Sequence, residues 1–241
     1  MSTLRVELLD SRFLLHGSAA LLEQVAALAP TGPSDGPALE LDVGDDDMTG
    51  ALTLLNMTAL AQCRSFAVHA GVVATADGAV AFPAVSGAGK STLTAACLRA
   101  GLGYVSDEAL VVDWDTGAVR GYPKWLSLSP WSAAHVGLLP GPDERPYPAS
   151  ALGSQATTDR LAHVVLPTRR PGPATLTPAS RAGAAHDLLT MSFNHYQRPR
   201  RAFVLAAELL RGSRAWRLDY EDAADAADLL AQRLAESSGP A

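Results

Sequence analysis

Apolar residues follow two periods along this chain, and the period changes from segment to segment. Leu4 to Leu9 alternates apolar and polar positions, the pattern of a half-buried strand, and Ala19 to Leu28 has helical spacing. A break rich in Gly, Pro, Ser and Asp spans Pro30 to Pro37. Ala38 to Val43 alternates again, and Ala51 to Arg64 reads as an apolar helix. Residues 1–64 are therefore expected to form a small α/β region packed on a larger unit, residues 65–236.

In the larger unit, Phe66 to Thr75 is rich in β-forming residues. Ala76-Asp77-Gly78 is a turn signal and Ala79 to Pro83 a second strand, which predicts a hairpin. A glycine-rich loop then opens a helix over Ser91 to Ala100, ended by Gly101. Tyr104 to Val112 reads as a strand interrupted by Asp107-Glu108, and Asp115-Thr116-Gly117 turns the chain into a strand over Ala118 to Tyr122. Pro123 to Gln155 is dense in Pro, Gly and Ser and has the composition of a mobile loop over a site. A strand is expected over His163 to Leu166 and another over Trp216 to Tyr220. Helices are expected over Arg181 to Phe193, Ala202 to Arg211 and Ala223 to Ala235, with fraying from Ser237 to Ala241.

Composition narrows the class. Of 241 residues, 48% are hydrophobic, enough to bury a core, and the net charge of -6 argues against a general nucleic-acid binder. Cys63 and Cys97 lie far apart without metal-ligand spacing, so buried free thiols are expected and a disulfide scaffold is excluded. Met1 to Arg5 lacks a basic region before an apolar run, and no apolar run approaches about 20 residues. No signal peptide or membrane span is expected, and the reading is a cytoplasmic protein with neither nucleic acid nor membrane as partner.

The chemistry concentrates after the hairpin. Ala84-Val85-Ser86-Gly87-Ala88-Gly89-Lys90-Ser91-Thr92 follows a strand and precedes a helix, the context of a phosphate-binding loop. Glycines let successive backbone N–H groups point at phosphate oxygens, and the helix adds its positive end. Lys90 has the reach for β- and γ-phosphates, and the Ser91 hydroxyl suits Mg²⁺. Ser86, Gly87, Ala88, Gly89, Lys90, Ser91 and Thr92 are the candidate nucleotide-binding residues. Ala84 stands where the strict pattern has its first glycine, which is tolerated if the backbone there avoids positive φ.

The carboxylates Asp107 and Glu108 come after the loop, its helix and a strand. A crossover of that length returns the chain beside the starting strand. Adjacent residues on a strand face opposite ways, so both reach one site only if the strand ends or distorts there. His69 lies in an apolar strand, where a lone histidine is usually a hydrogen-bonded core residue, but the hairpin leads straight into the loop.

Taken in order, these elements resemble the HPr kinase/phosphorylase family. The matching residues are His69-Ala70-Gly71-Val72, Ser86-Gly87-Ala88-Gly89-Lys90-Ser91, Arg99-Ala100-Gly101 and Val105-Ser106-Asp107-Glu108, and the likeness covers about residues 66 to 128. Tyr122-Pro123-Lys124-Trp125-Leu126-Ser127-Leu128 and Ser192-Phe193-Asn194-His195-Tyr196 also look like stand-alone HPr-kinase-like proteins of peptide-tailoring pathways, including kinases of lasso-peptide precursors. The resemblance implies an α/β P-loop fold related to phosphoenolpyruvate carboxykinase, with a mixed sheet and flanking helices. It implies an ATP- and Mg²⁺-dependent kinase acting on a Ser or Thr hydroxyl of a peptide or small protein. Asp107 matches the family's base, with Lys90 and His69 as further catalytic candidates, and Glu108 with Ser91 matches the metal position. Glu108 departs from the Asp that many relatives have. The chain shows no match to the family's downstream segment tied to the reverse reaction, which favours kinase over bifunctional enzyme.

Two other readings share these motifs: a small-molecule hydroxyl kinase, and a regulatory module that senses ATP without transfer. Arg198, Arg200 and Arg201 form a basic segment suited to an acidic acceptor. A homo-oligomer is left open.

Overall fold

The computed structural model describes residues 2–30, 36–44 and 47–235. In the N-terminal region, β1 (Ser2–Leu8) and β2 (Ser11–Gly17) form an antiparallel hairpin. Helix α1 (Ala19–Ala26) follows, and β3 (Leu39–Asp42) pairs parallel to β2. Helix α2 (Met48–Ala61) closes the region, started by the Asp47 carboxylate accepting from the Gly50 N–H. Phe13, Leu15, Leu52 and Leu55 pack in one cluster with Val111, Tyr122 and Trp125 from the larger unit.

The larger unit is a mixed α/β fold, with a mixed sheet and flanking helices. Strands β4 (Phe66–Thr75) and β5 (Gly78–Pro83) are the expected hairpin, paired from Ala70↔Pro83 to Thr75↔Gly78. Every residue of β5 is buried, which explains its unbroken apolar sequence: a central strand covered on both faces has no polar side. Helix α3 (Lys90–Arg99) leads to β6 (Gly103–Ser106), followed by β7 (Ala109–Val112) and the short β8 (Val119–Arg120). β9 (Leu126–Leu128), α4 (Pro130–His135) and β10 (Arg145–Tyr147) come next, then β11 (Leu161–Arg169), β12 (Thr175–Pro178) and α5 (Arg181–Thr190). The chain then forms α6 (Pro199–Gly212), β13 (Arg214–Tyr220) and α7 (Ala223–Ala235). The eight-stranded sheet runs β12-β13-β11-β5-β4-β7-β8, with β6 also on β4. β5, β11 and β13 are mutually parallel.

One face of the sheet is covered by α3 and α7, where Phe82, Leu93, Cys97, Leu126 and Leu230 are buried together. The other is covered by α5 and α6, which bury Leu188 and Leu205 against Phe66, Val68 and Leu110. Cys63 and Cys97 are both buried free thiols, and burial pushes each thiol up from its ordinary pKa. No helix among the described residues is long and apolar enough to cross a membrane.

Several expectations are corrected. The segment from Pro123 to Gln155 is built rather than irregular. Ser129 caps α4 by accepting from the Ser132 N–H, and Pro130 occupies its first turn, so a Ser-Pro pair that resembles loop composition is a helix start. The crossover after β5 does not return beside it: β6 pairs with β4, one strand farther on. Helix α5 stops at Thr190, because residues 191–193 bond to β4 instead (His69 N–H to Met191 O, 2.8 Å; Phe193 N–H to Ala67 O, 2.9 Å). β2 and β12 were not anticipated. Most of the Pro30 to Pro37 break, and Ser237 to Ala241, lie outside the described residues.

Helix α3 rests directly on β4 at Gly71. A Cβ there would overlap Thr94 Oγ1 and stand 3.4 Å from Phe82 Cδ2, and Thr94 is fully buried. Gly71→Ala is expected to destabilise the fold by about 1–3 kcal/mol, the usual cost of overpacking. Denaturant unfolding checks this, and an unchanged midpoint would mean that α3 lifts off the strand freely.

Candidate functional site

A cleft of about 470 Å³ opens where the loop after β5, the bend between β6 and β7, the start of β9 and the flank of α2 meet. That is within the usual range for a small-molecule site.

The loop supplies the first wall. Gly87 and Gly89 have φ of +80° and +89°, a conformation costly for any other residue, and Gly89 leads into α3. Among the described residues the one non-glycine with positive φ is Leu9, so Ala84 sits in the loop without the strain that would have required glycine. Ser86, Gly87, Gly89, Lys90, Ser91 and Thr92 all line the cleft, while the Ala88 N–H donates to Val85 O at 3.3 Å. Lys90 is 6% exposed, and its ammonium donates to Val85 O at 2.9 Å. Burial lowers its pKa, opposed by the Glu108 and Asp107 carboxylates.

The acidic pair supplies the second wall. β6 ends at Ser106 and β7 begins at Ala109, so Asp107 and Glu108 occupy a bend. The buried Ser106 hydroxyl accepts from both the Glu108 N–H (3.2 Å) and the Ala109 N–H (3.1 Å), which fixes that bend. Freed from strand alternation, both carboxylates line the cleft.

Lys124 is the residue that sequence reasoning left without a role. Its ammonium lies 2.9 Å from Asp107 Oδ1 and 3.7 Å from Glu108 Oε2, and it donates to Trp125 O at 2.9 Å. The Tyr104 hydroxyl donates to Lys124 O at 2.8 Å and reaches Asp107 Oδ1 at 3.2 Å. Asp107 and Lys124 side chains are 2% and 3% exposed, so this is a buried ion pair with hydrogen-bond support. The signal was present in Tyr122 to Leu128, a singled-out segment whose lysine stands among apolar residues. Thr92 Oγ1 shares a 2.8 Å hydrogen bond with Ser132, which ties the loop's helix to α4. On the remaining side, Tyr122 donates to Asn56 Oδ1 of α2 at 2.6 Å, and Asn56 also bonds to Glu108.

His69 lines the cleft too, with Nε2 3.7 Å from Glu108 Oε1. Burial, then the Lys90 charge, pushes its pKa from 6.5 down to about 4, so it is neutral at pH 7 and this contact is not an ion pair there. Burial raises the Glu108 pKa. The two act in opposite directions on stability. Between pH 6.5 and about 4 the unfolded chain protonates His69 while the folded chain does not, so His69 removes stability as pH falls, by about 3 kcal/mol in all. Glu108 contributes stability below its unfolded pKa that is lost as pH rises through its folded value. His69→Gln is expected to reduce the loss of stability on acidification across that window, measured by urea unfolding at a series of pH values. An unchanged slope would mean that His69 titrates alike in both states.

Arg198, Arg200 and Arg201 are not brought to the cleft. Arg198 lies over the Trp114 ring at 5.6 Å, and Arg200 is exposed on the first turn of α6. Arg201 donates to Trp114 O at 2.6 Å and to Glu208 at 2.7 Å. It is a fastener between α6 and the β7–β8 connection, because its guanidinium is already used. Asn194, from the other singled-out segment, is 2% exposed and pins the start of β4 by accepting from the Ala67 N–H at 3.1 Å and donating to Ser65 O at 2.8 Å.

Chemically, the cleft sets backbone N–H groups, a helix N-terminus and an ammonium opposite two carboxylates. That suits a phosphate chain with a hard cation. Ser91 and Glu108 offer oxygen donors, and no group of three or more His, Cys, Asp or Glu that could hold a metal occurs among the described residues. A cation here would lean on phosphate oxygens and water, as Mg²⁺ does in phosphoryl-transfer sites. Comparison with protein-family models and with curated proteins gave no match for this chain.

Proposed function

We propose that this chain is an ATP- and Mg²⁺-dependent kinase of the HPr-kinase-like type, which transfers the γ-phosphate to a Ser or Thr hydroxyl of a peptide or small protein. The observation that carries this reading is that Lys90 of the loop and the Asp107–Glu108 pair line one cleft. The loop N–H groups and Lys90 hold the phosphates, and Asp107 takes the proton of the acceptor hydroxyl as its oxygen attacks phosphorus and ADP leaves. Ser91 and Glu108 would hold Mg²⁺, which supplies charge neutralisation at the phosphates when bound. Lys124 positions Asp107. Thr53 and the exposed Met57 of α2 line the cleft on the side where an acceptor would enter.

A nucleotide-sensing module without transfer is the second reading, favoured by the ion pair that already engages Asp107. Intact-mass measurement of candidate peptides and small hydroxyl compounds, incubated with the chain, ATP and Mg²⁺, separates the two. Gain of one phosphate on an acceptor supports the kinase. ATP binding without transfer to any acceptor favours the sensor, and absence of ATP binding overturns both.

A further inference from the structure

We propose a second anion site at the opposite end of the sheet, where the N-terminal ends of β5, β11 and β13 form a pocket of about 290 Å³ that takes a small phosphate-bearing solute. The glycine-rich loop proposed to bind nucleotide follows the C-terminal end of β5, so the two sites lie at opposite ends of the same strands.

Arg160, Arg181, Arg211 and Arg214 line this pocket, with Asp77 as its one carboxylate. The chain has 19 Lys and Arg against 25 Asp and Glu, so four exposed arginines around one small pocket run against its overall charge. None of the four has a side-chain hydrogen bond or ion pair among the described residues, whereas Arg120, Arg170 and Arg201 each have a carboxylate partner. Arg181 is also the first residue of α5, at the positive end of the helix, where a cation is disfavoured. Left alone, these charges repel one another. A phosphate dianion, whose oxygens match the guanidinium fork, removes that cost.

The independent observation is His163, which is 2% exposed and lines the same pocket. In register it stands beside Val80 of β5 and Arg214 of β13. Its Nδ1 accepts from the Trp216 indole N–H at 3.1 Å, which places the imidazole proton on Nε2. Nε2 has no hydrogen-bond partner among the described residues. A buried donor without an acceptor costs about 1–3 kcal/mol; Nε2 is closed off from solvent, so an anion oxygen would supply the acceptor on a small opening of the pocket wall. Burial, with Arg214 and Arg160 nearby, lowers the His163 pKa, so it stays a neutral donor at pH 7.

The test follows the Trp216 indole N–H by NMR while the full chain is titrated at fixed ionic strength. Inorganic phosphate is one probe and glycerol 3-phosphate the other, and chloride is the control. A saturable shift is expected with at least one phosphate probe and none with chloride. Tighter binding of the ester identifies a phosphorylated solute, and equal or tighter binding of inorganic phosphate identifies the free ion. Arg160→Gln/Arg214→Gln changes two exposed side chains and is expected to weaken this binding about tenfold or more, with ATP affinity retained. No saturable shift with either probe, or undiminished binding in the double variant, overturns the proposal. Both outcomes are independent of whether the loop site transfers phosphate.

Discussion

Asp107→Asn is expected to lower turnover by roughly 10²–10⁴-fold, the share of a positioned general base, with nucleotide affinity little changed. The amide keeps the shape of the side chain but cannot take the acceptor's proton. On the kinase reading proposed above, the loop and Lys90 are untouched, so bound phosphates would keep their cradle. The same change leaves the buried Lys124 ammonium without its 2.9 Å partner, although Glu108 remains 3.7 Å away. Breaking a buried pair costs about 3–5 kcal/mol, and the remaining carboxylate should hold the loss toward the lower end. Turnover must therefore be measured below the variant's unfolding transition. A Mg²⁺ titration distinguishes the roles: recovery of most of the rate at high Mg²⁺ would make Asp107 a metal ligand, and no recovery keeps it as base. Near-normal turnover at ordinary Mg²⁺ would remove Asp107 from the chemistry.

Lys90→Ala should lower transfer by roughly 10²–10³-fold, the loss seen when one charge-stabilising group is removed from a desolvated site. ATP binding should weaken as well, because a cation facing the phosphates is lost. The fold should survive, since the ammonium's hydrogen bond is to Val85 O within the same loop. Displacement of a fluorescent nucleotide measures affinity, and transfer to an accepted acceptor measures rate. Unchanged values for both would remove the phosphate-loop assignment.

The hairpin, the loop and the helix after it were legible in the sequence because each rests on local chemistry: a turn tripeptide, two glycines at positive φ, and an apolar run. The bend at Asp107 and Glu108 was legible only as a condition. What satisfies the condition is the Ser106 hydroxyl accepting two N–H groups, a detail that spacing does not reveal. Lys124 was missed because its place in the cleft depends on a contact with the distant bend at Asp107 and Glu108, and composition marked its neighbourhood as loop. Arg201 misled for the opposite reason. A run of arginines reads as free charge, whereas its guanidinium is spent on Trp114 O and Glu208. The return of β6 to β4 rather than β5 is likewise a matter of long-range pairing.

The order of the sheet also bears on how the chain folds as it is made. β5 gains β4 on one edge at once, across a tight turn, but its other edge is covered by β11, which begins only at Leu161, and β11 in turn waits for β13 at Arg214. A nascent chain that has just completed the glycine-rich loop after β5 thus carries an apolar strand with one open edge until the last third of the sequence emerges. Non-local parallel pairing of this kind is slow, and open apolar edges invite pairing with other chains. Synthesis that stalls between residues 112 and 161 would accordingly leave an aggregation-prone fragment, whatever the stability of the finished protein.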